Sequence, residues 1–520
     1  MKTTSLAIAG LAAAAALAAP AAAAPLPADA AAAVTAITTG PRYANSTWGI
    51  AVADAVTGES LNAQNAPQMF VPGSITKAFS AAAALETIGP DRRFRTPVHR
   101  LGRLRDGVLR GNLVLVAQGD FSFGLRETPG GGLSYADGGA DHNEANSLGF
   151  VQSVSGNPLR ALNRLAADVR TAGVRQVDGD VVIDDRLFET YSGWPDGVIA
   201  PIWVNENLID ITVTPGASGR AARISYRPRT AAYRVVGRVT TTPSGSDPNL
   251  QLDEPRPGTI RIQGTMPQGP STVRVWQVSD PAAFARTAFI EALQRQGVRV
   301  SAKATGENPK DKLPRSRTYP DATRLGVWTS PTFDKFVNVV LKVSYNRGAD
   351  LLACLVGADA RLRECEDGLA RVTQVVRGMG VPGEQFFNFD GAGSDDRNHV
   401  TPNALNALMK AASTRPWGQL FRADLPVLGE PGGGDLAVFG TTLPSRGKLQ
   451  AKTGTRAGGP PGATAGLLGS RGLSGYLTGA SGRQMLITVI MNNMPFASFD
   501  DLFSVIGDQV NIVNTVYAGS

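Results

Sequence analysis

The chain has 520 residues, 42% hydrophobic and 18% charged, with a net charge of +7. That length suits two to four domains with substantial cores, and the composition excludes an intrinsically disordered chain. The basic residues are mostly scattered Arg rather than one patch, so no nucleic-acid partner is expected, and the charge fits solubility near anionic envelope polymers.

In chain order, Lys2 precedes an apolar stretch from Leu6 to Leu17, followed by Pro20 and small residues to Ala24. This pattern predicts an export signal over residues 1–30, cleaved between Ala22 and Ala30; an uncleaved membrane anchor over Leu6 to Ala24 is the alternative. No other stretch is long and apolar enough to span a bilayer, so the mature chain is expected to lie in the periplasm or the extracellular, cell-wall space without a membrane span. Ser46 to Asp54 alternates as a strand, Thr57-Gly58 turns the chain, and Leu61 begins a return strand, together a β-hairpin.

The next stretch is Val71-Pro72-Gly73-Ser74-Ile75-Thr76-Lys77-Ala78-Phe79-Ser80. Pro72-Gly73 breaks the chain, Ser74 suits an N-cap or first turn, and Ile75 to Thr87 reads as a buried helix stopped at Gly89-Pro90. Residues three apart share a helical face, which sets the Ser74 hydroxyl beside the Lys77 amine. A serine becomes a nucleophile when a base takes its proton, and burial near a helix N-terminus lowers a lysine pKa toward that task. Alone, Ser-x-x-Lys is a weak signal, and a surface helical turn is the bland reading.

From Phe94 to Pro281 short β-like runs with turn signals dominate, among them Asn112 to Val116, Val181 to Ile183, Ile209 to Val213, Tyr233 to Thr240, Thr259 to Ile262 and Thr272 to Val278. Leu159 to Ala172 and Ala282 to Gln296 read as helices, Gly130 to Asn146 as a loop, and Glu307 to Arg317 as a polar linker. Beyond Pro331 helices are expected at Phe333 to Val343, Ala349 to Val356, Asp367 to Met379 and Pro402 to Ser413. Strands follow at Leu473 to Thr478 and Gln484 to Met491. A last helix starts at Phe499 and puts Leu502, Phe503, Ile506, Val510 and Val513 on one core-facing side. The stretch between Lys77 and Ser344 is far longer than two helices of one domain require. The expected division is therefore a catalytic domain over 31–95 and 318–520, with another domain or two, mostly β, inserted at 96–317.

Cys354 and Cys365 are the only cysteines. In an oxidising compartment they can bridge one helix to the next; two separate buried thiols are the alternative. No metal-ligand cluster surrounds them, and His99, His142 and His399 stand in no nucleophile or metal pattern. Neither metal nor cofactor is expected.

Two later stretches change the weight of Ser74-x-x-Lys77. Ser344-Tyr345-Asn346 follows the apolar run Phe336 to Val343, and Lys452-Thr453-Gly454-Thr455 follows Gly447 to Ala451. Ser-x-x-Lys, Ser-x-Asn and Lys-Thr-Gly in this order form the signature of penicillin-binding proteins and serine β-lactamases. Within that superfamily the chain resembles the D-alanyl-D-alanine carboxypeptidase/endopeptidase family, the class C low-molecular-mass penicillin-binding proteins of peptidase family S13. The long insert carries part of the resemblance, with Gly119-Asp120 after Leu113 to Val116, Asn205-Glu206-Asn207 and Ile209 to Gly216. Asp390-Gly391-Ala392-Gly393 with Thr401-Pro402 carries the rest, so that it runs from about Ser46 to the C-terminus.

The resemblance implies an α/β (α+β) transpeptidase-like domain, an antiparallel sheet covered by helices and interrupted by smaller domains. It implies that Ser74 attacks the carbonyl between two terminal D-alanines of a peptidoglycan stem peptide, with Lys77 as base. Ser344 would relay a proton to the leaving amine, and Asn346 would hold Lys77 and the substrate amide. Lys452, with Thr453, Gly454 and Thr455, would bind the terminal carboxylate, and the backbone N–H groups of Ser74 and Thr455 would form the oxyanion hole. β-Lactams would be covalent inhibitors. Where the family reads Asp-Gly-Ser-Gly-Leu-Ser-Arg, this chain has Asp390-Gly391-Ala392-Gly393-Ser394-Asp395-Asp396. The family Arg thus falls on Asp396, and Arg397, one step later, stands in for it against the stem-peptide side chain. After Ser-x-Asn the usual acidic residue is represented by Asp350, and Arg456 opens a Gly/Pro-rich loop to Gly466 that would overhang the cleft. The alternatives are a β-lactamase or esterase of the same superfamily, and a non-catalytic wall-binding protein.

Overall fold

A computed structural model of the chain describes residues 24–139, 142–146, 151, 153–459 and 465–520. The expected export signal up to residue 23, parts of the Gly130 to Asn146 loop, and residues 460–464 of the loop expected to overhang the cleft lie outside the described residues.

The strand Gln484–Phe496 explains the five-stranded sheet. Its odd positions Met485, Ile487, Val489 and Met491 join one buried cluster, and its even positions Leu486 and Ile490 join another. Alternate side chains point to opposite faces, so a strand with apolar residues at both odd and even positions is covered on both sides. It sits third in a five-stranded sheet ordered Leu449–Gly458, Gly466–Thr478, Gln484–Phe496, Thr47–Asp54, Ser60–Gln64. All four pairings are antiparallel. The expected hairpin and the expected fold class are both found.

One face carries the helices Ala28–Thr38 and Phe499–Ala518. The first was not expected, because an alanine run has no apolar periodicity to read. The second bears out Val510 and Val513 as core-facing and corrects the rest of its predicted face. Phe503 is 61% exposed, while Val505, Ile512 and Val516 are fully buried. The buried stripe passes through Gln509, which donates to the Val489 carbonyl and accepts from Arg471. A polar residue satisfied by internal partners hid the true face from a hydrophobicity pattern.

The other face carries the helices Lys77–Thr87, Phe333–Lys342, Asn346–Asp359, Cys365–Gly378 and Pro402–Ser413. The helix Lys77–Thr87 is surrounded, with Ala81 to Ala84 fully buried, because small side chains let neighbouring helices approach closely. Cys354 and Cys365 form a disulfide with Cα atoms 4.4 Å apart, joining two of these helices. Loop-closure arithmetic for so short a loop gives about 3 kcal/mol.

Between Lys77–Thr87 and Phe333–Lys342 the chain builds a six-stranded sheet, two three-stranded sheets and the helices Arg160–Thr171 and Pro281–Arg295, with a core of their own. The strand Arg324–Thr332 pairs antiparallel with Arg93–Arg105 and so closes this sheet. The strands Arg223–Arg227 and Asn249–Arg256 carry too few apolar residues to announce themselves. This part of the chain also packs on the helices that follow it: the Phe121 ring meets Phe336 and Tyr345 edge-on at 4.9 and 5.2 Å.

Candidate active site

The Ser74 turn is a 3-10 helix, Gly73–Thr76, and the α-helix begins at Lys77. Gly73 has φ +55, a conformation that favours glycine, and it bends Pro72 into the turn. A Cβ on Gly73 would stand 3.1 Å from the Thr455 N, and one on Gly454 would overlap the Pro72 carbonyl oxygen. The serine turn and the strand bearing Lys452 to Thr455 therefore lie backbone to backbone.

Lys77 is fully buried. Its Nζ lies 2.7 Å from Ser74 Oγ, 2.7 Å from Asn346 Oδ1 and 2.8 Å from the Ala392 carbonyl oxygen. Burial lowers its pKa, against the nearby carboxylates of Asp196, Asp390, Asp350 and Glu144, which raise it. A neutral amine in this place donates its two protons to Asn346 Oδ1 and Ala392 O and accepts the third bond from the serine hydroxyl. Burial thus favours the form of Lys77 that can take a proton.

Asn346 opens the helix Asn346–Asp359, and its Nδ2 donates to Asp196 Oδ1 at 2.8 Å. The Ser344 backbone has φ +57, a strained value for a side-chain-bearing residue, in the turn between that helix and Phe333–Lys342. Lys452 is also fully buried. Its Nζ donates to the Thr453 carbonyl oxygen at 2.9 Å and lies 3.3 Å from Asp435 Oδ2. Burial lowers its pKa, Asp435 opposes, and the result is about 8. The Thr455 hydroxyl accepts from Arg471 at 2.7 Å, and burial lowers the pKa of that guanidinium to about 10.

The Asp390 loop is wound round its own carboxylate, which accepts from the backbone N–H groups of Ala392, Gly393, Ser394 and Asp395 and from Asn398 Nδ2. This winding turns the Ala392 carbonyl to Lys77. Gly393 has φ +87, and a Cβ there would overlap the Gly73 carbonyl oxygen. Behind Lys77 lies Asp350, fully buried, accepting from the Gly391 N–H at 2.9 Å. Burial, with Asp196 and Asp390, raises its pKa well above the usual range.

Six predicted residues thus converge: Ser74, Lys77, Asn346, Lys452, Thr453 and Thr455, with Gly454 at the backbone contact. Arg397 stands apart. Its side chain is 68% exposed, pairs with Asp395 at 2.6 Å and lies over the Phe389 ring, while Asp396 pairs with Arg456. Sequence reasoning missed Asp196, Asp435 and Arg471, which sit outside the motifs and reach the site only through the fold.

The sequence profile of the D-Ala-D-Ala carboxypeptidase 3 (S13) family matches residues 30–503. The chain belongs to this family. A D-alanyl-D-alanine carboxypeptidase of Actinomadura sp. (strain R39) is 29% identical over 490 residues, covering 88% of this chain and 80% of the relative. A penicillin-sensitive carboxypeptidase A of Dictyostelium discoideum is 24% identical, covering 90% and 87%. Penicillin binding protein 4 of Haemophilus influenzae, solved with a β-lactam, shares the fold with a TM-score of 0.68 at 18% identity, covering 93% of this chain and 99% of its own. No described helix is long and apolar enough to cross a membrane.

Proposed function

We propose that this S13 protein is a serine-type D-Ala-D-Ala carboxypeptidase or DD-endopeptidase that cleaves peptidoglycan stem peptides through an acyl-enzyme and is acylated by β-lactams. The observation that carries the reading is a buried Lys77 amine 2.7 Å from the Ser74 hydroxyl, with its pKa lowered by that burial. Ser74 Oγ attacks the carbonyl between the two terminal D-alanines while Lys77 takes its proton. The oxyanion forms against the N–H groups of Ser74 and Thr455, which the backbone contact of the two segments brings near one another. Ser344 relays a proton to the departing D-alanine amine, and Asn346 holds Lys77 and the substrate amide. Lys452 supplies the positive field for the terminal carboxylate, beside Thr453, Gly454 and Thr455. Water then releases the acyl group and returns Ser74.

The stem peptide lies outside the cytoplasm, so the reading includes export by a leader over residues 1–30. It also includes a catalytic domain over 31–95 and 318–520, with inserted domains at 96–317. Arg397, if it meets the stem-peptide side chain, must leave Asp395 to do so.

The test uses the exported protein with penicillin and, separately, with a peptide ending in D-Ala-D-Ala. A long-lived adduct on Ser74 and release of D-alanine are expected, and Ser74→Ala abolishes both with the fold intact. Rapid penicillin turnover without D-alanine release makes the protein a β-lactamase. Neither adduct nor product makes it a wall-binding protein.

A further inference from the structure

The segment Glu430 to Asp435 reaches the site from outside the three motifs. Asp435 Oδ2 accepts from Thr453 Oγ1 at 2.9 Å and lies 3.3 Å from Lys452 Nζ, and its side chain is only 14% exposed. The insert holds this segment in place. Asp137 accepts from the Gly432 and Gly434 N–H groups at 2.8 and 3.0 Å, and Tyr135 donates to the Gly432 carbonyl at 2.9 Å. Gly434 has φ +65, and a Cβ there would overlap the Lys342 carbonyl, so its backbone rests on the helix that leads to Ser344.

The two threonine hydroxyls of Lys-Thr-Gly-Thr are consequently in opposite states. A guanidinium only donates, so the Thr455 hydroxyl accepts from Arg471 and keeps its own proton for a ligand. A carboxylate only accepts, so the Thr453 proton is committed to Asp435.

We propose that Asp435 is a positioning residue that keeps Lys452 protonated and occupies the Thr453 hydroxyl, leaving the substrate carboxylate to Lys452 and Thr455, and that Asp137 of the insert holds Asp435 in that place. This rests on the reading of the site proposed above. The charged groups acting on the Lys452 ammonium are Asp435 from the Gly433 turn, Lys77 from the nucleophile helix and Arg471 from the adjacent strand. Burial and Arg471 favour loss of its proton, as does Lys77 while it is itself protonated, and Asp435 alone of these opposes that loss. Removing the Asp435 charge therefore moves the loss of the ammonium to lower pH.

The experiment measures the rate of Ser74 acylation by benzylpenicillin against pH for the exported wild-type protein, Asp435→Asn and Asp137→Asn. The alkaline, falling limb is expected to move to lower pH by about one unit or more in Asp435→Asn, the scale of one close opposite charge. Asp137→Asn is expected to move it less in the same direction, and the rising limb, which belongs to Lys77, stays in place. An Asp435→Asn profile that is only scaled down, with its falling limb unmoved, overturns the inference. If Asp435→Asn does not fold, Asp137→Asn carries the test, and an unmoved falling limb there overturns it equally. A wild-type protein that is not acylated at any pH overturns the proposed function and this inference together. A wild-type protein that is acylated while both variants keep its falling limb overturns this inference alone.

Discussion

At the scale of single residues the proposed mechanism gives two buried lysines opposite tasks. Lys77 and Lys452 are both fully buried, and burial lowers both pKa values. Their partners differ: Lys77 touches a hydroxyl, an amide oxygen and a carbonyl, whereas Lys452 has the Asp435 carboxylate beside it. On the proposed assignment acylation rises with pH as Lys77 loses its proton and falls as Lys452, near 8, loses its own. Lys77→Arg is expected to lose about 10²–10⁴-fold in acylation, the range of a general base, because a guanidinium stays protonated. Lys452→Arg keeps the charge and retains part of the rate. Acylation rates of the two variants with one penicillin, across roughly pH 6 to 10, decide the matter. Equal rates would sink the assignment of base and anchor.

At the scale of elements the site depends on turns that a side chain would spoil. The Asp390 loop presses its Gly393 against the Gly73 carbonyl of the nucleophile turn, with φ +87 at Gly393. Gly393→Ala therefore meets both a backbone clash and an unfavourable conformation, and the Ala392 carbonyl is expected to leave Lys77. The expected outcome is a stability loss of about 2 kcal/mol or more, as for other strained or overpacked positions, with acylation reduced further than the stability loss explains. Urea melts and single-turnover acylation on the same preparation check this. A variant as stable and as fast as wild type would mean the loop moves aside freely.

At the scale of the molecule, a buried charge cluster drawn from Arg126, His142, Glu206 and Asp210 meets the chain just after Asn346. His142 is fully buried between Glu206 and Asp210, at 3.0 and 3.2 Å. Glu206 also pairs with Arg126, and the Glu206 carbonyl accepts from Arg347, the residue after Asn346. Burial by itself lowers the imidazole pKa, but the Asp210 and Glu206 carboxylates outweigh it and raise it to about 10. The same ion pairs outweigh burial at Glu206 and Asp210 and lower both. A raised folded pKa contributes stability that is fully present below the unfolded value of 6.5 and is lost as pH rises through about 10. The two lowered carboxylates contribute above their unfolded values of 4.5 and 3.8, and that part is lost as pH falls. The melting temperature of His142→Gln is therefore expected to lie furthest below wild type near pH 6 and to approach it toward pH 10. A gap that stays constant across this range would mean that the imidazole charge adds nothing to stability.

The sequence by itself determined the chemistry of this protein and the kind of fold that holds it. Ser74-x-x-Lys77, Ser344-x-Asn346 and Lys452-Thr453-Gly454 are local patterns, each set by a turn beside a helix or strand, so their residues could be read without the fold. The strands Thr47–Asp54 and Gln484–Phe496 were legible for the same reason, as short runs rich in apolar residues, although both are buried on both faces rather than alternately. Only the tertiary structure decided which distant carboxylates complete the site. Asp196 meets Asn346, 150 positions away, and Asp137 reaches Gly432 across 295. A carboxylate that far along the chain carries no local mark of its partner. Arg397 and Phe503 show the converse. Each fitted a pattern along the chain, but Arg397 found a nearer partner in Asp395, and Phe503 was turned outward when Gln509 took the buried stripe. Local periodicity names what a side chain is suited to, and long-range packing chooses among the suitable positions, because burial is a property of the folded surface rather than of the sequence window.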